Sequence, residues 1–236
     1  MPMTRSLDQK HAPVAGKKVQ IYIARFETGQ PFSDFAPQTL TVGAGGAAKG
    51  ATSIPLTTAL TKPINKGQFL CFADANDVEH LVEVTAKSTG SAITCRALDE
   101  AITATETAEY PAYLWDRTEA GFEQSINYDT VETFNTGGNE DGTPGTKSGT
   151  LNVPGLKYHY NAAAHTLAKA VADSAFVIVR REEPVPSPAF TTGPVDIFRA
   201  GVESVSKSAP ASGALTDDYT LKALGSIQTI AAVPVP

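Results

Sequence analysis

Apolar and polar positions alternate along residues 18–26, with Val19, Ile21 and Ile23 on one side and Gln20, Tyr22 and Ala24 on the other. A period of two predicts a half-buried β-strand. Residues 27–36, with Gly29, Pro31 and Asp34, read as a loop. Short strand-like runs then follow at 39–42, 52–56, 68–72, 79–85 and 92–97, separated by Gly, Pro, Asn and Asp. That spacing suggests a small sandwich or barrel. Residues 113–134 hold two more strand-like runs, 135–145 break all periodicity, and strand signal returns at 148–153. Two strands joined by a dozen turn-forming residues make a long hairpin.

One convincing helix is predicted over 161–173. Asn161 can cap it, and Ala164, Leu167, Ala168 and Val171 recur at i, i+3, i+4 and i+7 as a narrow apolar stripe. An apolar strand at 175–181 and a Pro-rich link at 184–194 come next, then strands at 195–206 and 218–225. Gly201 falls where the alternation Phe198, Ala200, Val202 slips to Val205, as it does at a β-bulge. The expected fold is mainly β with one flanking α-helix. It divides into 1–36 (an arm and the first strand), 37–112 (an inserted small β domain) and 113–236 (long hairpin, helix and closing strands). The segment 37–112 is read as an insert because strand signal continues on both sides of it.

Composition narrows the function. With 19 basic against 25 acidic residues the formal charge is −6, which argues against general affinity for nucleic-acid phosphates. No apolar run approaches the ~20 residues that span a bilayer, and no apolar leader follows Met1, so neither membrane insertion nor a secretory signal is expected. Two cysteines, Cys71 and Cys95, cannot form a disulfide framework. They take matching slots, Phe69-x-Cys71 and Ile93-x-Cys95, and are expected to point into the insert's core as free thiols.

The chemical motifs are weak. Gly43-Ala-Gly-Gly-Ala-Ala48 matches a dinucleotide fingerprint only formally, because Pro55 and the polar run before it cannot open the helix that the motif needs. Asn139-Glu-Asp-Gly142 lacks the alternating ligands of a calcium loop. His11, His80, His159 and His165 are scattered, and no Ser lies in a nucleophile elbow. No enzyme activity, metal or cofactor is expected. The exposed charge is read as acidic: Asp129, Glu132, Glu140, Asp141, Asp217 and Asp218.

The order outside the insert resembles the tail tube (major tail) proteins of tailed bacteriophages. The likeness is carried by Phe122–Phe134 with Thr150–Leu156, by Asn161–Arg181, and by Phe198-Arg-Ala-Gly-Val-Glu-Ser followed by Tyr219-Thr-Leu-Lys-Ala-Leu-Gly225. The insert, with Gly50-Ala-Thr-Ser-Ile-Pro-Leu and Pro63-Ile-x-x-Gly67-Gln-Phe-Leu, is similar to a small β module of phage structural proteins.

The resemblance implies two orthogonally packed antiparallel sheets and a homohexameric ring, closed by joining sheets into one β-barrel. Rings stack into a hollow virion tube, assembled in the host cytoplasm, that conducts DNA during ejection without binding it. Terminator, tape-measure and baseplate or distal tail proteins are the implied partners. The hairpin tip, Thr136, Gly137, Gly138, Asn139, Glu140, Asp141, Gly142, Thr143, Pro144, Gly145, Thr146 and Lys147, would contact a neighbouring subunit or ring. Glu123, Asp129 and Glu132 are the lumen-facing candidates. An insert facing outward favours a non-contractile tail. The alternatives are another virion component, such as a tail terminator or capsid decoration protein, or a type VI-like secretion tube protein.

Overall fold

The computed structural model describes residues 19–74, 79–114, 125–130, 147–157, 162–186, 188–208, 216–225 and 227–235, with backbone alone for 125–130, 147–157, 208 and 216. The chain is mainly β, with one helix and several antiparallel sheets. The first strand, β1 (Gln20–Arg25), alternates as its sequence requires, with Ile21 and Ile23 turned to one face and Ala24 to the other. A single 3-10 turn at Phe32–Phe35 interrupts the expected loop and buries Phe35.

Six short strands follow: β2 (Gln38–Thr41), β3 (Ser53–Pro55), β4 (Phe69–Ala73), β5 (Glu79–Glu83), β6 (Ala92–Thr94) and β7 (Thr107–Tyr110). Four of them pair in the order β2-β7-β4-β5, and β3 pairs with β6. Backbone bridges Val84↔Cys95 and Val42↔Leu56 join the two sheets at both ends, so the six strands close into a small barrel. The glycine-rich run at 43–48 is a β connection in this barrel. Gly46 has φ +63° there, and a Cβ would sit 2.3 Å from the Ile102 carbonyl oxygen, so the backbone leaves room for no side chain.

The remaining strands form one large antiparallel sheet. They are β8 (Ala112–Leu114), β9 (Ser125–Thr130), β10 (Lys147–Lys157), β11 (Val177–Glu182), β12 (Val195–Ser208), β13 (Thr216–Ala223) and β14 (Gln228–Ile230). Their order is β8-β1-β11-β12-β13-β10-β9, with β14 also on β12. The fourteen residues of β12 serve two halves. Residues 195–200 pair with β11, and 200–208 pair with β13. The halves share this strand and form one continuous sheet. Register slips between Val202 and Ser204, which puts the bulge at Glu203, two residues past the glycine that signalled it. A second slip, between Val153 and Leu156, carries β10 past Pro154, a residue tolerated in a strand where pairing lapses.

Helix α1 (Ala162–Ala172) covers one face of the sheet. Its buried side runs through Ala163, Ala164, Thr166, Leu167 and Ala170, whereas Val171 is 43% exposed. The expected stripe through Ala168 and Val171 is therefore rotated. Alanine suits either side of a helix, and Thr166 lies on the buried side, where its hydroxyl accepts from the Phe69 amide at 3.0 Å. Phe69 and Cys71 consequently face α1 rather than the barrel interior, because β4 is covered on both sides. Cys95 does lie in the barrel core, where burial pushes its thiol up, and the two cysteines do not bond.

The barrel core runs without a break into Ala24, Ile178, Val195 and Ile197 on the sheet's other face. Polar groups lock that joint at Arg25. Gln68 accepts from the Arg25 amide at 2.8 Å, and Asn65 donates to the Arg25 carbonyl at 2.8 Å and to Gln30 at 2.6 Å. The Arg25 guanidinium lies over Gly67 and reaches Asp173 at 3.1 Å. Burial lowers the Arg25 pKa, and Asp173 opposes that shift. Replacing Asn65 with Ala leaves a buried carbonyl without its donor. The expected cost is about 1–3 kcal/mol in urea unfolding; a midpoint equal to wild type would contradict this account of the joint.

The same interface sets an alkaline limit. Burial, then Glu182 and Glu109, push the Tyr22 phenol from 10.0 up to about 12, and burial also raises Tyr110. The folded chain thus holds these protons more tightly than the unfolded chain. Stability from Tyr22 is complete below pH 10.0 and is lost as pH rises through about 12, and the Tyr110 contribution is lost on the same alkaline side. A phenolate absorbance titration should show a late class among the seven tyrosines, titrating together with loss of circular dichroism. All tyrosines ionising near their ordinary value in an intact fold would contradict it.

Candidate functional site

A strand edge is a chemical feature, because each unpaired residue offers an amide donor and a carbonyl acceptor that must find a partner or water. The barrel spends its edges on itself through the two closing bridges. The large sheet does not. Among the described residues, β9 has a neighbour on one side only, and β12 has none beside residues 201–208 on the side where β11 ends at Val177. These are the longest open edges in the described chain. They bound a four-stranded unit, β12-β13-β10-β9.

That unit is two-faced. On β13, Tyr219, Leu221 and Ala223 are buried, and Val202 and Val205 of β12 flank the same cluster. The intervening positions, Ser204, Ser206 and Lys222, are exposed, with Asp218 and Thr220 half-buried. Register extends the polar rows across the sheet. Ser204 lies opposite Thr220, Thr220 opposite Asn152, and Asn152 opposite Ser125. Gly201, Lys222, Thr150 and Asn127 make the adjacent row, and Asp129 lies opposite Ser148 in the next. The alternate rows hold Val202, Leu221, Leu151 and Ile126. On β12 and β13 one face thus carries Ser204, Ser206, Asp218, Thr220 and Lys222, and the other Val202, Val205, Tyr219, Leu221 and Ala223 together with Asp217.

Of the residues singled out from sequence, Asp129 falls in the polar rows by register. Lys147 opens β10 opposite Thr130. Glu123, Glu132 and the tip residues 136–146 lie outside the described residues, as do His11 and His159. Asp217 is not surface charge. It is 5% exposed, accepts from the Tyr219 hydroxyl at 3.2 Å and lies 3.8 Å from Lys207. It shares the phase of Tyr219 and Leu221, so alternation carries it to the buried face. Asp218, one residue on, belongs to the polar face.

Other features of the described residues are less suited to chemistry. A cleft of about 240 Å³ between barrel and sheet is lined by Cys71, Glu79, Glu109 and Tyr113, with no serine or histidine among its lining residues. His165 packs on the Phe69 ring with centroids 5.3 Å apart. Sequence reasoning missed β7 and β14 as well as the polar rows. The alternation Asp218-x-Thr220-x-Lys222 was the available signal for the rows. Neither protein-family models nor curated proteins give a match to this chain.

The open edge of β9 generates a test with an internal control. Along an antiparallel edge strand, alternate residues direct their amide inward to the ladder and outward to the edge. Single proline substitutions at 126, 127, 128 and 129 should fall into two alternating classes. One class destabilises the fold through loss of a β10 hydrogen bond; the other stays folded by circular dichroism but loses self-association in analytical ultracentrifugation. Uniform behaviour at all four positions would count against β9 as an assembly edge.

Proposed function

We propose that this chain is a structural subunit of a phage tail tube, whose large sheet joins those of neighbouring copies in a ring. The observation that carries the reading is the pair of open edges on one two-faced sheet. In the order β12-β13-β10-β9 neighbouring strands are antiparallel, so β12 and β9 run in opposite directions. β9 of one copy therefore meets β12 of the next antiparallel, and polar rows continue as polar rows. The contact is heterologous, and such contacts close when the rotation between copies divides a full turn.

A ring of about six copies with four strands each gives about 24 strands, and a tilted barrel of that size is on the order of 50 Å across. That bore admits a nucleic-acid duplex. The polar face then forms the lumen. A surface of hydroxyls and amides with Asp218, Asp129 and Lys222 offers no basic cluster on which phosphates would stick. The sealed barrel packs against the β1–β11 half of the sheet, away from the joining edges, on the face whose phase the polar rows continue. The tip at 136–147 contacts the adjoining subunit or ring, and terminator, tape-measure and distal tail proteins are the expected partners.

Purified protein examined by negative-stain microscopy should show rings or tubes. Deleting residues 136–146 should leave monomers with unaltered circular dichroism and abolish tube growth. Tubes of normal length from the deleted protein would refute the role given to the tip, and a protein that stays monomeric at millimolar concentration would refute the reading as a whole.

A further inference from the structure

The open edge of β12 begins beside an exposed aromatic ring. Phe176, the residue before β11, is 41% exposed and is the one aromatic so exposed among the described residues. Its backbone is fixed, since its carbonyl accepts from the Phe26 amide at 3.1 Å. The Arg199 guanidinium lies over the Phe176 ring, 5.2 Å from its centroid, and over the Phe26 ring at 5.7 Å. A guanidinium held on aromatic faces is pre-oriented, and such Arg–aromatic groupings anchor interfaces. This one has no carboxylate or hydrogen-bond partner among the described residues, and its Nε is buried without an acceptor. The next position on the same face of β12 is Gly201, where the edge opens. A Cβ there would already meet Leu224 at 3.4 Å and Phe176 at 3.9 Å, so glycine keeps the ground beside the guanidinium clear.

We propose that this patch receives Asp129 of a second copy of the chain, and that the resulting Arg199–Asp129 ion pair, stacked on Phe176, sets the register of the subunit joint. The inference rests on the tube reading and names the group that aligns the joining strands. Asp129 is the only charged residue of β9. Register places it on the face of Asn127, Thr150, Lys222 and Gly201, which is the face of Arg199. At the joint β9 of the next copy runs antiparallel to β12. With Asn127 beside Ser204, the bulge takes up Glu203, and two steps along β9 bring Asp129 beside Gly201. The same two steps along β13, from Thr220 opposite Ser204, reach Lys222 opposite Gly201. Arg199 is then the diagonal neighbour of Asp129, about 7–8 Å away between backbones, a separation that a long side chain spans. A slip of two residues would keep polar rows on polar rows but separate the two charges. Charge complementarity thus selects one register where alternation allows several.

The experiment measures self-association of the intact chain by sedimentation velocity, with circular dichroism as the control for folding. Asp129→Arg and Arg199→Glu, each alone, set like charges against each other in the joint and should weaken association by about tenfold or more. The double variant restores opposite charges and should recover association to within about threefold of wild type. Arg199→Glu also loses its stack on the rings, so Asp129→Asn, on the outer strand, serves as the variant that leaves the fold alone. It should lose several-fold in association at low salt and less at high salt. Asp129→Asn associating like wild type, or a double variant that fails to recover from folded single variants, would overturn the ion pair while leaving the tube reading in place. A wild-type chain that never associates would overturn both.

Discussion

Backbone hydrogen bonding at strand edges is the constraint from which the architecture follows. Every strand carries two rows of polar groups, and burying or exposing an unpaired row is costly or hazardous. The chain handles its two β units in opposite ways. In the barrel of residues 38–110, Val84 meets Cys95 and Val42 meets Leu56, and the edges disappear. In the large sheet, β9 and the distal half of β12 keep an open side among the described residues.

The joint between the barrel and the large sheet combines an apolar and a polar part. Its apolar part is continuous, since Ala24, Ile178 and Ile197 belong to the barrel's core. Its polar part centres on Arg25, whose amide and carbonyl are satisfied by Gln68 and Asn65 from the insert. β1 is thus hydrogen-bonded within its sheet up to Arg25 and to the insert at that residue. Phe69 and Thr166 add a tie on the other face, from β4 to α1. The barrel is held on two sides by groups that would otherwise be buried and unpaired, so position and solvation are solved together.

Much of this was legible in the sequence, for reasons that differ by element. Period-two alternation located β1, β12 and β13 to within about two residues, because each has one apolar and one polar or differently covered face. The phase slip from Val202 to Val205 signalled the bulge, which register places at Glu203. Helix α1 was found but turned wrongly, since its alanines fit either side and Thr166, a polar residue, is on the buried one. Cys71 was misassigned for a related reason: a strand covered on both faces gives no polar alternation to read. The candidate site was legible only in part. Asp218, Thr220 and Lys222 carry the polar pattern locally, but their alignment with Asn152 and Ser125 is a matter of register between distant strands. Asp217 and Asp218 show the limit plainly, as adjacent aspartates with opposite fates decided by phase.

The central claim is that β9 of one copy pairs with β12 of the next. Register offers a direct probe, since Asn127 and Ser204 lie on the two edges in rows of the same polar face. A chain carrying both Asn127→Cys and Ser204→Cys, oxidised under non-reducing conditions, should yield a ladder of covalent oligomers ending at the ring size, while each single variant stays monomeric on the gel. A double variant that remains monomeric after oxidation, in protein shown to be assembled, would contradict the pairing.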